Sequence, residues 1–298
     1  MRLSPFRLHR PATLEEASAL LDELGLDGLP YCGGTELLLV AKLGLTAFTD
    51  LVDLKGIEEL RGVEAVPASA DAGAELRIGA TATHREVEHS PLVRERWPSL
   101  AQMERHVGNL RVRNVGTVGG NLCFADPHSD PATYLIAAGG AVSARRGSGP
   151  LRRIAIEDFT RGPYETALED NELLVSVHVP EPAAGSALVH RKMSFAERPA
   201  VTVAVCVSVR EGAVAEARVS VGSVGVAAAR ARGAEAALVG AAAVEPLDAA
   251  LVEACGDAAA AGCEPVADAN GSVEYKRQLV RVLTGRCIRE AVAAAAQG

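Results

Sequence analysis

The sequence predicts an α+β protein of two lobes, residues 1–57 and 58–180, followed by a small α+β C-terminal domain, residues 187–298. Three observations carry that prediction. Capped helical segments alternate with short apolar runs through the first half of the chain. Pro180, Pro182 and Gly185 form the clearest linker. Beyond it "VTVAVCVSVR" alternates like a strand with one buried face, and "AVAEARVSVG" offers its hairpin partner.

Each element has a local reason. Thr13 and Glu16 stand at capping-box spacing and open a helix over "TLEEASALLDEL", which Gly25 and Gly28 end. "LPYCGG" reads as a short strand entering a double-glycine turn, "TELLLVAKLG" as a helix closed by Gly44, and "FTDLVDL" as a strand. The second lobe opens with strands "LRGVEAV" and "ELRIGAT", joined by the turn-rich "PASADAGA". Thr83 and Glu86 make a second capping box for a helix at "HREVEH". Pro98 precedes another helix ending near Gly108, and "ATYLIAAGG" supplies one more. Strands near 141–145, 151–156 and 173–179 complete this lobe. Alanine-rich helices near 231–239, 247–261 and 274–296 finish the chain.

Composition narrows the function. A chain of 298 residues can hold two or three cores. Its net charge of −8 argues against a nucleic-acid surface. No apolar run approaches the roughly 18 residues of a membrane span. "MRLSPFRLHRPATLEEA" lacks the apolar core of a secretory signal, so a cytoplasmic protein is expected. The cysteines at 32, 123, 206, 255, 263 and 287 form no C-x-x-C pair, which leaves the chain without a zinc or iron–sulfur site of its own. Aromatic residues make up only 3%, so a planar ligand would lie between aliphatic side chains and backbone.

Two glycine segments stand out. "YCGGTEL" (31–37) and "GTVGGNL" (116–122) each place paired glycines after extended chain and before a small polar residue. Without Cβ atoms, backbone N–H groups can converge on an anion. Each alone reads better as a plain turn; together they suggest a diphosphate gripped from both sides, with Gly119 and Gly120 facing it. Neither a P-loop nor G-x-G-x-x-G is present, which leaves a dinucleotide on some other scaffold. Cys123, Asp126, His128 and Asp130 are competent metal ligands, but they share one stretch with no second cluster, and contacts to ligand hydroxyls explain the aspartates better. Arg105, His106, Arg111 and Arg113 are either a solvated helix end or a docking edge for an acidic partner.

"VRNVGTVGGNLCFADPHSD" resembles the signature of the flavin-binding subunit of molybdenum hydroxylases, the xanthine dehydrogenase and aerobic carbon monoxide dehydrogenase family. "CGGTELLLVAKLG" resembles that family's first pyrophosphate loop, "NELLVSVHVP" its strand along the flavin, and "HRKMSFAERPAVTVAV" its C-terminal domain entry. The resemblance covers essentially the whole chain. It implies a vanillyl-alcohol-oxidase-type FAD fold with a C-terminal domain of the carbon monoxide dehydrogenase flavoprotein type. By motif, Tyr31, Cys32, Gly33, Gly34, Thr35, Glu36 and Leu37, with Thr117, Val118, Gly119, Gly120 and Asn121, would wrap the FAD pyrophosphate. Asp130 would hold cofactor hydroxyls, and Leu173 or Leu174 would lie beside the isoalloxazine. Lys192 would stand near its pyrimidine end, and Val107 falls at a further contact position.

The resemblance further implies an oxidoreductase subunit with no acid, base or nucleophile of its own. FAD would be non-covalent, since Thr35 and not histidine follows the glycines. Electrons would come from a small [2Fe–2S] subunit and leave to an external acceptor. Molybdopterin would sit in a large subunit, and the assembly would be a dimer of heterotrimers. No clustered cysteines could hold the [4Fe–4S] insert of the 4-hydroxybenzoyl-CoA reductase branch. The rival readings are a stand-alone flavin-dependent oxidase or reductase of the same fold and a non-enzymatic nucleotide-binding scaffold.

Overall fold

The computed structural model describes residues 3–69, 73–195 and 198–298. In the first lobe, strands Arg7–His9, Asp50–Asp53 and Gly28–Tyr31 form a parallel sheet with Asp50–Asp53 at its centre. Helix Leu14–Leu24 starts at Thr13, whose hydroxyl accepts from the Glu16 N–H, and packs Leu14, Ala17 and Leu21 on Val52, Leu54 and Ile57. The three-residue strand Arg7–His9 is too short for periodicity to reveal. It is held by the sealed Asp50 carboxylate, which takes Arg7 at 2.9 Å, His9 at 2.6 Å and Thr49 at 2.6 Å. The Arg7 guanidinium, with His9 and Thr49, holds this carboxyl below the usual range.

The second lobe is a five-stranded antiparallel sheet in the order Val63–Val66, Glu75–Gly79, Leu173–Pro180, Ala141–Arg145, Arg152–Ala155. The "PASADAGA" turn lies partly outside the described residues. The central strand serves two cores. Leu173 and Val175 join the first-lobe core, whereas Leu174, Val177 and Val179 pack with Trp97, Leu100 and Leu135 of the second. A register shift between Leu174 and Ser176 switches the faces. The capping box at Thr83 and Glu86 forms in full and opens helix His84–His89.

The C-terminal domain is a sheet of Ser186–Ser194, Pro199–Arg210, Ala213–Gly222 and Ala229–Arg230, with helices Arg232–Leu238, Ala249–Ala261 and Val273–Ala295. The expected hairpin closes at Arg210 opposite Ala213. Strand Pro199–Arg210 departs from the one-faced pattern, being buried on both faces from Pro199 to Val205. One face meets the long helix through Val280 and Ile288. The other faces helix Asp130–Ala138 of the second lobe, where the Thr133 and Thr202 hydroxyls bond at 2.9 Å and the Ser220 hydroxyl donates to Thr133 O at 2.6 Å. Among the described residues no helix is long and apolar enough to cross a membrane.

Candidate functional site at the lobe junction

The second glycine segment is not the extended loop its composition predicts. Helix Leu110–Val115 ends at Gly116, Thr117 turns the chain, and helix Val118–Phe124 runs through both glycines. Thr117 caps that helix, its hydroxyl accepting from Gly120 N–H at 3.0 Å. Glycine is required here by packing. A Cβ on Gly119 would lie 2.5 Å from Ala80 O, and Gly119 N–H donates to that carbonyl while Val118 N–H donates to Ala82 O. The Gly119 N–H and its missing side chain therefore both face the end of the central sheet. Gly120 stays on the cradle side, where its Cβ would stand 4.0 Å from Cys32 Cβ.

The first loop meets this segment directly. A Cβ on Gly33 would run into Val115 O and lie 2.7 Å from Gly116 Cα, so the two segments touch backbone to backbone. Gly34 has φ +68°, the left-handed region where a side chain is strained, and a Cβ there would strike the Tyr31 ring. The amides of Gly33, Gly34 and Thr35 donate to no acceptor among the described residues. N–H groups without an acceptor, next to backbone stripped of side chains, suit a diphosphate, so the residues present fit the cofactor.

Parallel register explains a cation that sequence reading missed. Tyr31 pairs with Asp53, so the chain after each strand leaves from the same edge. This sets Lys55 beside the loop, with Nζ donating to Cys32 O at 3.1 Å and lying 4.2 Å from the Tyr31 ring centre. A cleft of about 520 Å³ lined by Lys55, Arg61, Thr81 and Thr83 opens alongside.

A second cluster forms where the second lobe meets the C-terminal domain. Lys192 Nζ lies 2.6 Å from Asp130 Oδ2 and donates to His106 O at 2.6 Å, next to the buried Val107. The structure thus couples Asp130 and Lys192, which the motif assigned to separate tasks. Burial raises the Asp130 carboxyl, and the lysine pulls it part way back. Leu173 and Leu174 are both buried, and Leu173 shares its cluster with Cys32. Asn121 accepts from the Ser129 hydroxyl at 2.6 Å. Leu37 opens helix Leu37–Lys42, and Glu36 pairs with Arg198 at 3.3 Å. Arg198, also missed in the sequence, reaches from the C-terminal domain to Asp126 as well, at 2.9 Å.

The possible metal ligands go separate ways. Asp126 takes His128 and Arg198, Asp130 takes Lys192, and burial pushes the Cys123 thiol up to about 12, as it does Cys32. Within the basic stretch Arg113 turns inward to Glu88 and Val107 O, while Arg105 and Arg111 stay exposed. A separate cavity of about 570 Å³, lined by Trp97, Tyr134, Leu188, Cys206 and Arg218, touches none of these cofactor candidates.

Residues 4–182 match the family described as the FAD binding domain in molybdopterin dehydrogenase, and residues 191–291 match the CO dehydrogenase flavoprotein C-terminal domain. The chain belongs to this family of FAD-carrying medium subunits of oxidoreductases. It is 31% identical over 288 residues to the carbon monoxide dehydrogenase medium chain of Hydrogenophaga pseudoflava, covering 96% of each. It is 28% identical over 291 residues to the xanthine dehydrogenase FAD-binding subunit of Escherichia coli O157:H7, again covering 96% of each. The solved carbon monoxide dehydrogenase of Hydrogenophaga pseudoflava superposes with a TM-score of 0.91 at 33% identity, over 99% of both chains.

Proposed function

We propose that the lobe junction is the FAD site of a molybdenum hydroxylase, in which this chain takes electrons from a [2Fe–2S] small subunit and passes them to an external acceptor. The molybdopterin belongs to a large subunit, the whole being a cytoplasmic dimer of heterotrimers. The observation that carries this reading is the backbone contact of Gly33 with Val115 and Gly116, which brings the two glycine segments into one cradle. The amides of Gly33, Gly34 and Thr35 bind the diphosphate, with Lys55 adding positive charge beside them. Thr117, Val118, Gly120 and Asn121 wall the opposite side, and Gly119 lets that wall approach Ala80. Asp130 accepts from cofactor hydroxyls through Oδ2, the oxygen that also meets Lys192, Val107 and Leu173 or Leu174 flank the ring, and Lys192 presents a cation to it. Bound FAD supplies the redox chemistry; the protein supplies position and charge. The division at 57/58 and the linker at 180–187 mark the three units.

Co-expression with the neighbouring subunit genes, followed by an absorbance spectrum and molybdenum and iron assay, tests this. The expected product is a complex containing both metals whose spectrum shows flavin bands over the broad absorption of iron–sulfur clusters, with FAD released on denaturation. A yellow monomer that oxidises a small substrate unaided would establish the stand-alone oxidase instead, and a colourless complex indifferent to added FAD would establish the scaffold.

A further inference from the structure

Three sealed polar atoms have no partner among the described residues at the heart of this junction: Glu104 Oε1, Asp130 Oδ1 and His190 Nε2. They come from helix Pro98–Glu104, helix Asp130–Ala138 and strand Ser186–Ser194. The other oxygen of each carboxylate is engaged, Glu104 Oε2 with His84 Nδ1 at 2.6 Å and Asp130 Oδ2 with Lys192 Nζ at 2.6 Å. His190 Nε2 stands 3.9 Å from Asp130 Oδ1, too far for a direct hydrogen bond and suited to a bridge. Glu104 acts electrostatically on both Asp130 and Tyr134, and Tyr134 lies one helical turn beyond Asp130 with its ring edge toward His190. Burial keeps the His190 imidazole neutral, with one N–H to give.

Two open acceptors and one open donor, on three elements that pack against one another, match the hydrogen-bonding capacity of a single water molecule, which donates twice and accepts once. A metal ion suits the point poorly, because the Lys192 ammonium already neutralises Asp130. The near end of the chain is equally placed: His84 N–H donates to Gly116 O at 3.1 Å, and its ring packs where the Gly116 side chain would be.

We propose that Glu104, Asp130 and His190 hold one ordered water, completing a buried chain from His84 through Glu104, the water and Asp130 to Lys192, with Glu104 and His190 as positioning residues for that lysine. The chain runs from the second glycine segment to the cation assigned to the flavin ring, and its effect on the flavin rests on the reading given above. With the Glu104 charge removed, Lys192 is less compensated and the flavin becomes easier to reduce.

The test uses the co-purified complex. Crystallography of the wild type should show one water peak within hydrogen-bond distance of all three atoms. Glu104→Gln should move the flavin midpoint potential to more positive values, and Lys192→Gln, which removes the cation, should move it the other way. Absence of the water peak, or a metal ion in its place, overturns the proposal, as does Glu104→Gln at the wild-type potential while Lys192→Gln shifts. If neither variant shifts the potential, the placement of Lys192 at the flavin is what fails, and the positioning role falls with it; the water peak still decides the chain itself.

Discussion

Gly33 and Gly119 lack a side chain for different reasons, and substitution separates them. Alanine at 33 drives a Cβ into Val115 O and parts the two segments. FAD retained per complex should fall several-fold, read from flavin absorbance against protein. Alanine at 119 presses on Ala80 instead, an overpacking cost of about 1–3 kcal/mol. Thermal unfolding should show that loss while the folded fraction keeps its FAD. The sequence made both glycines visible but not their directions, since what each faces comes from a distant part of the chain. Lys55, Arg198, Glu104 and His190 left no local signal for the same reason. His190 also sets a pH dependence. Burial lowers its folded pKa to about 3 from an ordinary value of about 6.5, so the unfolded chain binds the extra proton between those values. Stability should therefore decline as pH falls below about 6.5, by up to about 1.4 kcal/mol per unit. Asp130, raised by burial, opposes this nearer the acid end. Urea midpoints across pH 5–7 should show a flatter slope in His190→Gln; an unchanged slope would contradict the neutral buried imidazole.

At the level of elements, helix Val118–Phe124 shows where composition misleads. Glycine is unfavourable in a helix interior, so "GTVGGNL" reads as a loop. The cap at Thr117 and the amide contacts to Ala80 and Ala82 outweigh that preference. Thr117→Ala should cost about 1 kcal/mol, and Thr117→Ser should recover most of it, as measured by thermal unfolding. Helices with local caps, such as those opening at Thr13 and Thr83, were legible because their stabilising contacts lie within four residues. Strand Pro199–Arg210 was legible as a strand but not as doubly buried, because small residues such as Ala200, Thr202 and Ala204 hide the second contact face.

Across the whole molecule, Arg198 joins the C-terminal domain to Glu36 of the first lobe and Asp126 of the second. Around the same junction Leu39, Leu43, Leu45, Leu110 and Val115 remain about half exposed or more. Apolar surface on this scale is characteristic of an assembly face. Leu39→Glu with Leu43→Glu should reduce co-elution of the partner subunits on size exclusion. The chain's own stability should change by no more than about 0.5 kcal/mol, because both positions are solvent-facing. Order and fold class were readable from local pattern; the convergence of three units on one cradle is a property of topology.

The most direct measurement is a crystal structure of the complex with FAD bound. Diphosphate oxygens should accept from the amides of Gly33, Gly34 and Thr35, with Gly116 and Gly120 closing the far side. A diphosphate seated elsewhere, such as in the cavity between Trp97 and Arg218, would contradict that placement.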